Sequence, residues 1–169
     1  MSTDAAVRRA FERHETYADA DEGFVVETTV FDSRVVIETS DETVYTLTIR
    51  TPTLASAVEE DVGDNLLDGW FETFERRVAD ASKAVRADIE LTADVHSEEG
   101  EAIVTLQFPF EKAERAPAVV QAMTEYVEGT YVEGVVPGFT YRPPVSGLLA
   151  NATHSEETDH DQGGGPLPL

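Results

Sequence analysis

The first run of hydrophobic positions repeats with the period of an α-helix. Its apolar stripe follows an i, i+3, i+4, i+7 spacing and consists of Val7, Ala10, Phe11 and His14. Thr3 is placed to cap this helix, and Asp4 falls in its first turn. The acidic turn at residues 18–23 is predicted to end it. The chain therefore opens with an amphipathic helix that buries one face.

Alternation of polar and apolar residues predicts five β-strands further along the chain. The predicted strands are Phe24–Phe31, Arg34–Thr39, Thr43–Arg50, Ala87–Val95 and Ala102–Phe108. In the third of them, Tyr45, Leu47 and Ile49 share one face. Short polar turns separate neighbouring strands, including HSEEG at 96–100, and this spacing is typical of antiparallel hairpins. An antiparallel sheet tolerates one wet face, which the alternation predicts.

Two long stretches and one short one carry a helical period instead. The main helix is predicted at 65–82, on a stripe formed by Leu66, Trp70, Phe74, Val78 and Ala81. A second helix is predicted to start near Ala116, with Pro117 in its first turn, and to end between residues 129 and 134. Residues 145–152 are predicted to form one short helix. Gly63 interrupts the stretch 54–65, and the sequence leaves its path open.

The predicted elements follow the order α-β-β-β-α-β-β-α. This order predicts the α+β class, with helices packed on an antiparallel sheet of about five strands. A chain of 169 residues with 41% hydrophobic content is expected to form one domain, over residues 1–152. The remaining segment, 153–169, is acidic and rich in Gly and Pro, and it is predicted to be disordered.

The charge balance indicates the habitat of the protein. The chain carries 34 Asp and Glu against 12 Lys and Arg, which gives a formal net charge of −22. Self-repulsion on this scale opposes the compact state in dilute buffer. At about 1 M salt the Debye length falls to about 3 Å, and most of the repulsion disappears. We therefore expect the cytoplasm of a salt-loving archaeon. Nucleic acid and membrane are not expected as partners, because a basic stripe and a spanning apolar run are both missing.

No sequence motif identifies a catalytic or cofactor site. The chain lacks cysteine, which excludes disulfides, thiolate metal sites and cysteine nucleophiles. The motifs GxSxG, GxxxxGK[ST] and HExxH are absent. His96 lies in a predicted turn beside three carboxylates, and a solvated acidic turn explains it better than a general base or a metal ligand. His154 and His160 lie in the C-terminal tail, without a preformed ligand geometry. No catalytic residue, cofactor or metal is predicted.

The element order and two motifs carry resemblances to known families. The order and sizes of the elements over about residues 3–132 resemble the type III secretion chaperone-like fold, a family of small acidic cytoplasmic homodimers. That resemblance implies a dimer interface built from the sheet and the middle helix, and an outer surface that wraps an extended client segment. GWFETFERR at Gly69–Arg77, followed by PGFTY at Pro137–Tyr141, resembles an uncharacterised haloarchaeal family. This second resemblance implies habitat and no activity, and the fold analogy does not carry a secretion role.

Aromatic side chains supply the candidate interface or pocket residues. These candidates are Trp70, Phe71, Phe74, Tyr45, Phe139 and Tyr141. Phe71 lies off the stripe that Trp70 and Phe74 define, so the middle helix is aromatic on both flanks. Such a wide apolar arc requires a second surface to pack against. Either the segment 137–142 (PGFTYR) folds back onto it, or a second subunit covers it.

Three hypotheses on function follow, although no motif identifies an activity. The first is a non-enzymatic, homodimeric, cytoplasmic domain that binds protein segments in a chaperone-like manner. The second is a small-molecule-binding or hydrolytic domain with a pocket between sheet and helices, lined by Trp70 and Tyr45. The third is a structural subunit of a larger assembly. A convergent polar group in a closed pocket would favour the second hypothesis, and an exposed apolar groove would favour the first.

Overall fold

The computed structural model describes residues 3–151, and the predicted disordered tail at 153–169 lies outside them. These residues confirm the α+β class: five α-helices accompany a six-stranded antiparallel sheet. The helices are α1 (Thr3–Glu12), α2 (Leu54–Ala57), α3 (Asp64–Val78), α4 (Ala116–Glu133) and α5 (145–151). The strands are β1 (Tyr17–Asp19), β2 (Phe24–Val26), β3 (Asp32–Thr39), β4 (Thr43–Pro52), β5 (Thr92–Glu98) and β6 (Glu101–Pro109).

The sheet runs in the order β1-β2-β3-β4-β6-β5, which leaves β1 and β5 as its two edges. In the central strand β4, the predicted alternation is confirmed: Tyr45, Leu47 and Ile49 are buried, whereas the residues between them are half-buried. Their partners on β6 are buried too and continue the core across the sheet. The helices cover this inner face, so the hydrophobic effect fixes the register of the central strands.

The N-terminal part of the sheet differs from the prediction in two ways. The expected strand Phe24–Phe31 is wrong in length, because β2 ends at Val26. Glu128 of α4 holds the following loop by accepting a hydrogen bond from the backbone N–H of Val30 (2.9 Å). An additional strand, β1, lies where the sequence predicted only an acidic turn. Gly23 permits this hairpin: its φ is +86°, and a Cβ there would lie 2.0 Å from the backbone oxygen of Val35.

The strand β5 is shifted along the chain relative to the predicted strand Ala87–Val95. It starts at Thr92, because the next hydrogen-bonded position on β6 is Pro109, which has no N–H to donate. It continues through the predicted turn to Glu98. The turn itself has two residues, Glu99 and Gly100, with φ of 48° and 83°, the backbone that tight hairpins favour.

The region of the middle helix confirms most of the predicted stripe. Trp70, Phe74 and Val78 are buried, but the helix ends at Val78, and Ala81 lies in a separate 3-10 turn (Ala81–Ala84). Leu66 is 40% exposed, so its predicted place on the buried stripe is wrong. The stretch that the sequence left open contains α2, which Thr53 caps, and a loop to Gly63.

Candidate functional site

The six aromatic candidates divide among different parts of the fold. Trp70 stacks on Phe74, with ring centroids 5.4 Å apart, and both rings meet Tyr131 of α4 edge-on. Tyr45 belongs to a different cluster, where it stacks on Phe108 at 5.5 Å. The second hypothesis requires a pocket lined by both Trp70 and Tyr45. The structure places these two residues apart.

A small cleft separates α3 from the C-terminal end of α4. We call it the Trp70 cleft; it has a volume of about 250 Å³. Its lining combines aromatic, small and charged residues: Leu66, Gly69, Trp70, Thr73, Phe74, Arg77, Thr130, Glu133, Gly134 and Val136. Arg77 and Glu133 place opposite charges at this cleft. It lies on the flank of α3 that carries the predicted stripe.

The segment 137–142 folds back onto residues 57–60, between α2 and α3. The backbone of Tyr141 forms an isolated antiparallel bridge with Val58. The Glu60 carboxylate accepts hydrogen bonds from the backbone N–H and the side-chain hydroxyl of Thr140, each 2.8 Å long. These two hydrogen bonds lower the pKa of Glu60. Phe139 packs half-buried against the core. We call this connection the Glu60 clasp.

The opposite flank of α3 faces a larger groove at the edge of the sheet. This edge groove has a volume of about 540 Å³. Residues from α2, α3 and the β5–β6 hairpin line it: Thr53, Ala55, Ser56, Leu67, Asp68, Phe71, Glu72, His96, Ser97 and Gly100. Phe71 thus lines an open groove, which the segment 137–142 does not line. The sequence suggested two surfaces that could cover Phe71, the segment 137–142 and a second subunit. The segment 137–142 packs elsewhere and does not cover Phe71.

One side of the edge groove is a strand edge with unpaired backbone groups. Glu98 and Glu101 flank the two-residue turn and exchange hydrogen bonds, so every second residue of β5 points its N–H and C=O away from β6. These outward residues are Ala93, Val95 and Ser97. No backbone or side-chain hydrogen bond to their outward groups is found among residues 3–151. The strand therefore offers three donors and three acceptors in a row.

The other sheet edge offers much less. The strand β1 has three residues, and the backbone N–H of Tyr17 already donates to the carbonyl of His14 (3.3 Å). Only Asp19 in β1 keeps an outward N–H, because Ala18 pairs inward with Val25. The long free edge of the sheet is therefore β5.

Charge at the edge groove is negative and largely uncompensated. Asp68 and Glu72 stand on α3 without an ion pair to any described basic side chain. The imidazole of His96 bridges two carboxylates of its own strand, with Nδ1 3.2 Å from Asp94 and Nε2 3.3 Å from Glu98. His96 therefore lies on a strand and not in the predicted turn. Its carboxylate neighbours are two of the three that the sequence indicated.

The core contains a hydroxyl group without a partner. The Tyr45 hydroxyl is buried, and it makes no hydrogen bond within the described part of the chain. Burial raises the pKa of Tyr45 to about 12. Burial also raises the pKa values of Tyr17 and Tyr131, although their hydroxyls donate to the carbonyls of Pro117 and Pro52. All three tyrosines thus favour the neutral form in the folded protein.

The part of the chain that the structure describes holds neither a side-chain cluster suited to a metal ion nor a helix suited to cross a membrane. Among the residues that the structure describes, no group of three or more His, Cys, Asp or Glu side chains is arranged to hold a metal ion. In the same part of the chain, every helix is too short or too polar to cross a bilayer.

Sequence reasoning identified Phe71 but missed the part of β5 that lines the groove with it, His96 and Ser97. The outward residues of β5 and Leu67 carry no distinctive side chain, and the predicted strand ended at Val95. A signal was present in Glu99-Gly100, since a two-residue turn there would have extended the strand and fixed which residues point outward.

Together these features define a class: an α+β domain whose helices cover one face of an antiparallel sheet, with a free strand edge beside an apolar groove. The chain belongs to the family of unknown function DUF5813, whose family model matches residues 8–151. No curated protein and no solved structure matches the chain.

Proposed function

We propose that this domain is a non-enzymatic, protein-binding module. Its partner adds a strand to the edge of β5 and places an apolar side chain in the edge groove. The observation that carries this proposal is the position of the free edge, directly beside Phe71 and Leu67. Strand addition of this kind obtains affinity from main-chain hydrogen bonds and selectivity from side-chain pockets.

The energy available at this site suits a reversible contact. Each main-chain hydrogen bond contributes a net of about 1 kcal/mol, and the three outward residues can form six of them. Burying one apolar side chain of leucine size adds about 2 kcal/mol. Against this gain stand the loss of translational and rotational freedom and the ordering of the partner, which cost at least about 4 kcal/mol. The net gain is at most about 4 kcal/mol, so we expect a single flexible segment to bind in the millimolar range.

The proposed setting is the cytoplasm of a salt-adapted, haloarchaeal cell. The net charge of −22 supports it, because molar salt removes the self-repulsion that opposes folding. The likeness to secretion chaperones rests on element order alone. Its most useful implication is an extended client, which the free edge of β5 is suited to bind.

Amide hydrogen exchange with synthetic peptides tests this proposal. An array of ten-residue peptides with alternating apolar and polar residues is screened against the full chain in about 2 M KCl. Peptides that bind should slow exchange of the amides of Ala93, Val95 and Ser97. The change Phe71→Ser should weaken their binding about tenfold or more, since one buried side chain is lost.

Leu66→Ser provides the matched control, because it removes an exposed leucine from the same helix outside the edge groove. It should leave peptide binding unchanged. The proposal is wrong if the β5 edge amides exchange without protection both in the chain alone and with every peptide, or if Phe71→Ser and Leu66→Ser weaken binding equally.

A further inference from the structure

We propose that the strand added to β5 is β5 of a second copy of this chain. The two strands pair antiparallel around a two-fold axis at Val95 and join the sheets of two subunits into one of twelve strands. This inference rests on the proposed function, and it goes further by naming the partner and the register.

The register follows from the positions of the outward residues. An antiparallel pair centred on Val95 places Val95 opposite itself and Ala93 opposite Ser97 of the second copy. All three outward residues then form hydrogen-bonded pairs, which gives six main-chain hydrogen bonds. Moving the centre to Asp94 or His96 leaves one of the three outward residues opposite a position outside β5, and moving it to Ala93 or Ser97 leaves two. The symmetric register about Val95 is therefore the one that satisfies the whole free edge.

The side chains of β5 are compatible with this pairing. Across the two-fold axis, Asp94 faces His96 of the second copy, and Thr92 faces Glu98. The His96 imidazole lies within hydrogen-bonding distance of two carboxylates of its own strand, and a carboxylate across the axis is a partner of the same kind. On the other face of the strand, Ala93 and Ser97 are small and do not obstruct the approach of a second backbone. The same sequence thus complements itself, as a two-fold interface requires.

Pairing also completes the edge groove. Ser97 and His96 line the groove where the strand edge is open. A second β5 would occupy this open side. Because Ser97 pairs with Ala93 of the second copy, the groove of each subunit would be bordered by the start of β5 of the other subunit, which a single copy does not supply.

Charge argues against the C-terminal tail of the same chain as the occupant. The tail carries Glu156, Glu157, Asp159 and Asp161 and no Lys or Arg. The edge groove presents Asp68 and Glu72, so the tail would bring like charges together. Two whole subunits repel each other as well. Their strand edges are nevertheless complementary, and the molar salt that permits folding screens the repulsion between them.

Molar mass measured by light scattering after size exclusion in about 2 M KCl gives the first test. We expect about twice the 18.5 kDa mass of one chain. Ala93→Pro and Ser97→Pro each remove an outward N–H and should produce a monomer, since proline is tolerated where the N–H faces solvent. Asp19→Pro makes the same change at the other sheet edge and should leave the dimer intact. Far-UV circular dichroism verifies that each variant is folded.

Cysteine cross-linking tests the register without proline, in case a proline variant does not fold. The chain has no cysteine, so Val95→Cys introduces a single thiol at the proposed two-fold axis. Hydrogen-bonded partners lie about 5.5 Å apart at Cα, within the range that a disulfide spans. Val95→Cys should therefore form a covalent dimer on oxidation. Thr48→Cys, on the uncovered face of the sheet, should not.

The outcomes separate this inference from the proposed function. A wild-type monomer, a dimer that both proline variants retain, or a dimer that cross-links through Thr48→Cys and not Val95→Cys would each overturn the pairing of two β5 strands. If the wild-type chain is a monomer and peptides still protect its β5 amides, the proposed function stands with a different protein as partner. If they do not, both proposals fail.

Discussion

The Tyr45 hydroxyl has no hydrogen-bond partner in the core that residues 3–151 form, so removing it tests how much an unsatisfied polar group lowers the stability of this domain. Its ring is fully buried and stacks on Phe108 at 5.5 Å and Phe11 at 6.1 Å. Folding therefore strips water from the hydroxyl without supplying a hydrogen bond. The change Tyr45→Phe removes this group and retains the ring.

The expected gain in stability follows from the cost of leaving a polar group unsatisfied. A buried donor or acceptor without a partner costs about 1–3 kcal/mol. The ring contacts remain, and removing one oxygen leaves a void too small to offset that gain. We expect Tyr45→Phe to raise the free energy of unfolding by about 1 kcal/mol or more.

Tyr131→Phe is the matched control. Its hydroxyl donates to the backbone carbonyl of Pro52 at 2.8 Å, so its removal leaves an acceptor without its partner. We expect a loss of about 1 kcal/mol. Urea unfolding at constant 2 M KCl compares the variants, because urea leaves the ionic strength unchanged. The reasoning is refuted if Tyr45→Phe destabilises the protein as much as Tyr131→Phe does.

Three further predictions concern pH, packing and salt. Burial raises the pKa of Tyr45 to about 12 from about 10 in the unfolded chain, so between these values the folded state binds more protons than the unfolded state. The free energy of unfolding should therefore be unaffected by this group below pH 10 and should fall as the pH rises towards 12, by up to about 1.4 kcal/mol per pH unit. A falling urea midpoint measures this loss. Trp70→Ala should cost about 3–5 kcal/mol of stability because Trp70 is buried against Phe74, and a near-neutral urea curve would contradict that. Lowering the salt from molar KCl to about 0.1 M should unfold the chain, and an unchanged circular dichroism spectrum would contradict the salt-adaptation argument.

Sequence patterns predicted those parts of the fold in which one face is buried along a whole element. The alternation in β4 and the stripe of Trp70, Phe74 and Val78 follow directly from burial on one side. The limits of β5 could not be read in the same way, because residues 87–91 alternate as well as residues 92–95 do. The missing N–H of Pro109, on the neighbouring strand, decides where the ladder ends.

The candidate site was predictable only in part, for a similar reason. The position of Phe71 off the main stripe showed that α3 requires a second surface. The identity of that surface depends on which strand lies beside the helix, and a short-range pattern contains no such information. Leu66 shows the converse, since it fits the helical period but lies in the first turn, where α3 projects into solvent.

The Glu60 clasp has a consequence for the folding pathway. Its hydrogen bonds join residues 80 positions apart in the chain. Closing a loop of that length before the intervening elements are packed carries a large entropic cost, whereas β-hairpins such as β5–β6 close within a few residues. We therefore expect the clasp to form late, after the sheet and α4 have already brought its two ends together. The link between α2 and α3, beside the edge groove, would then be the last part of the domain to become rigid during refolding.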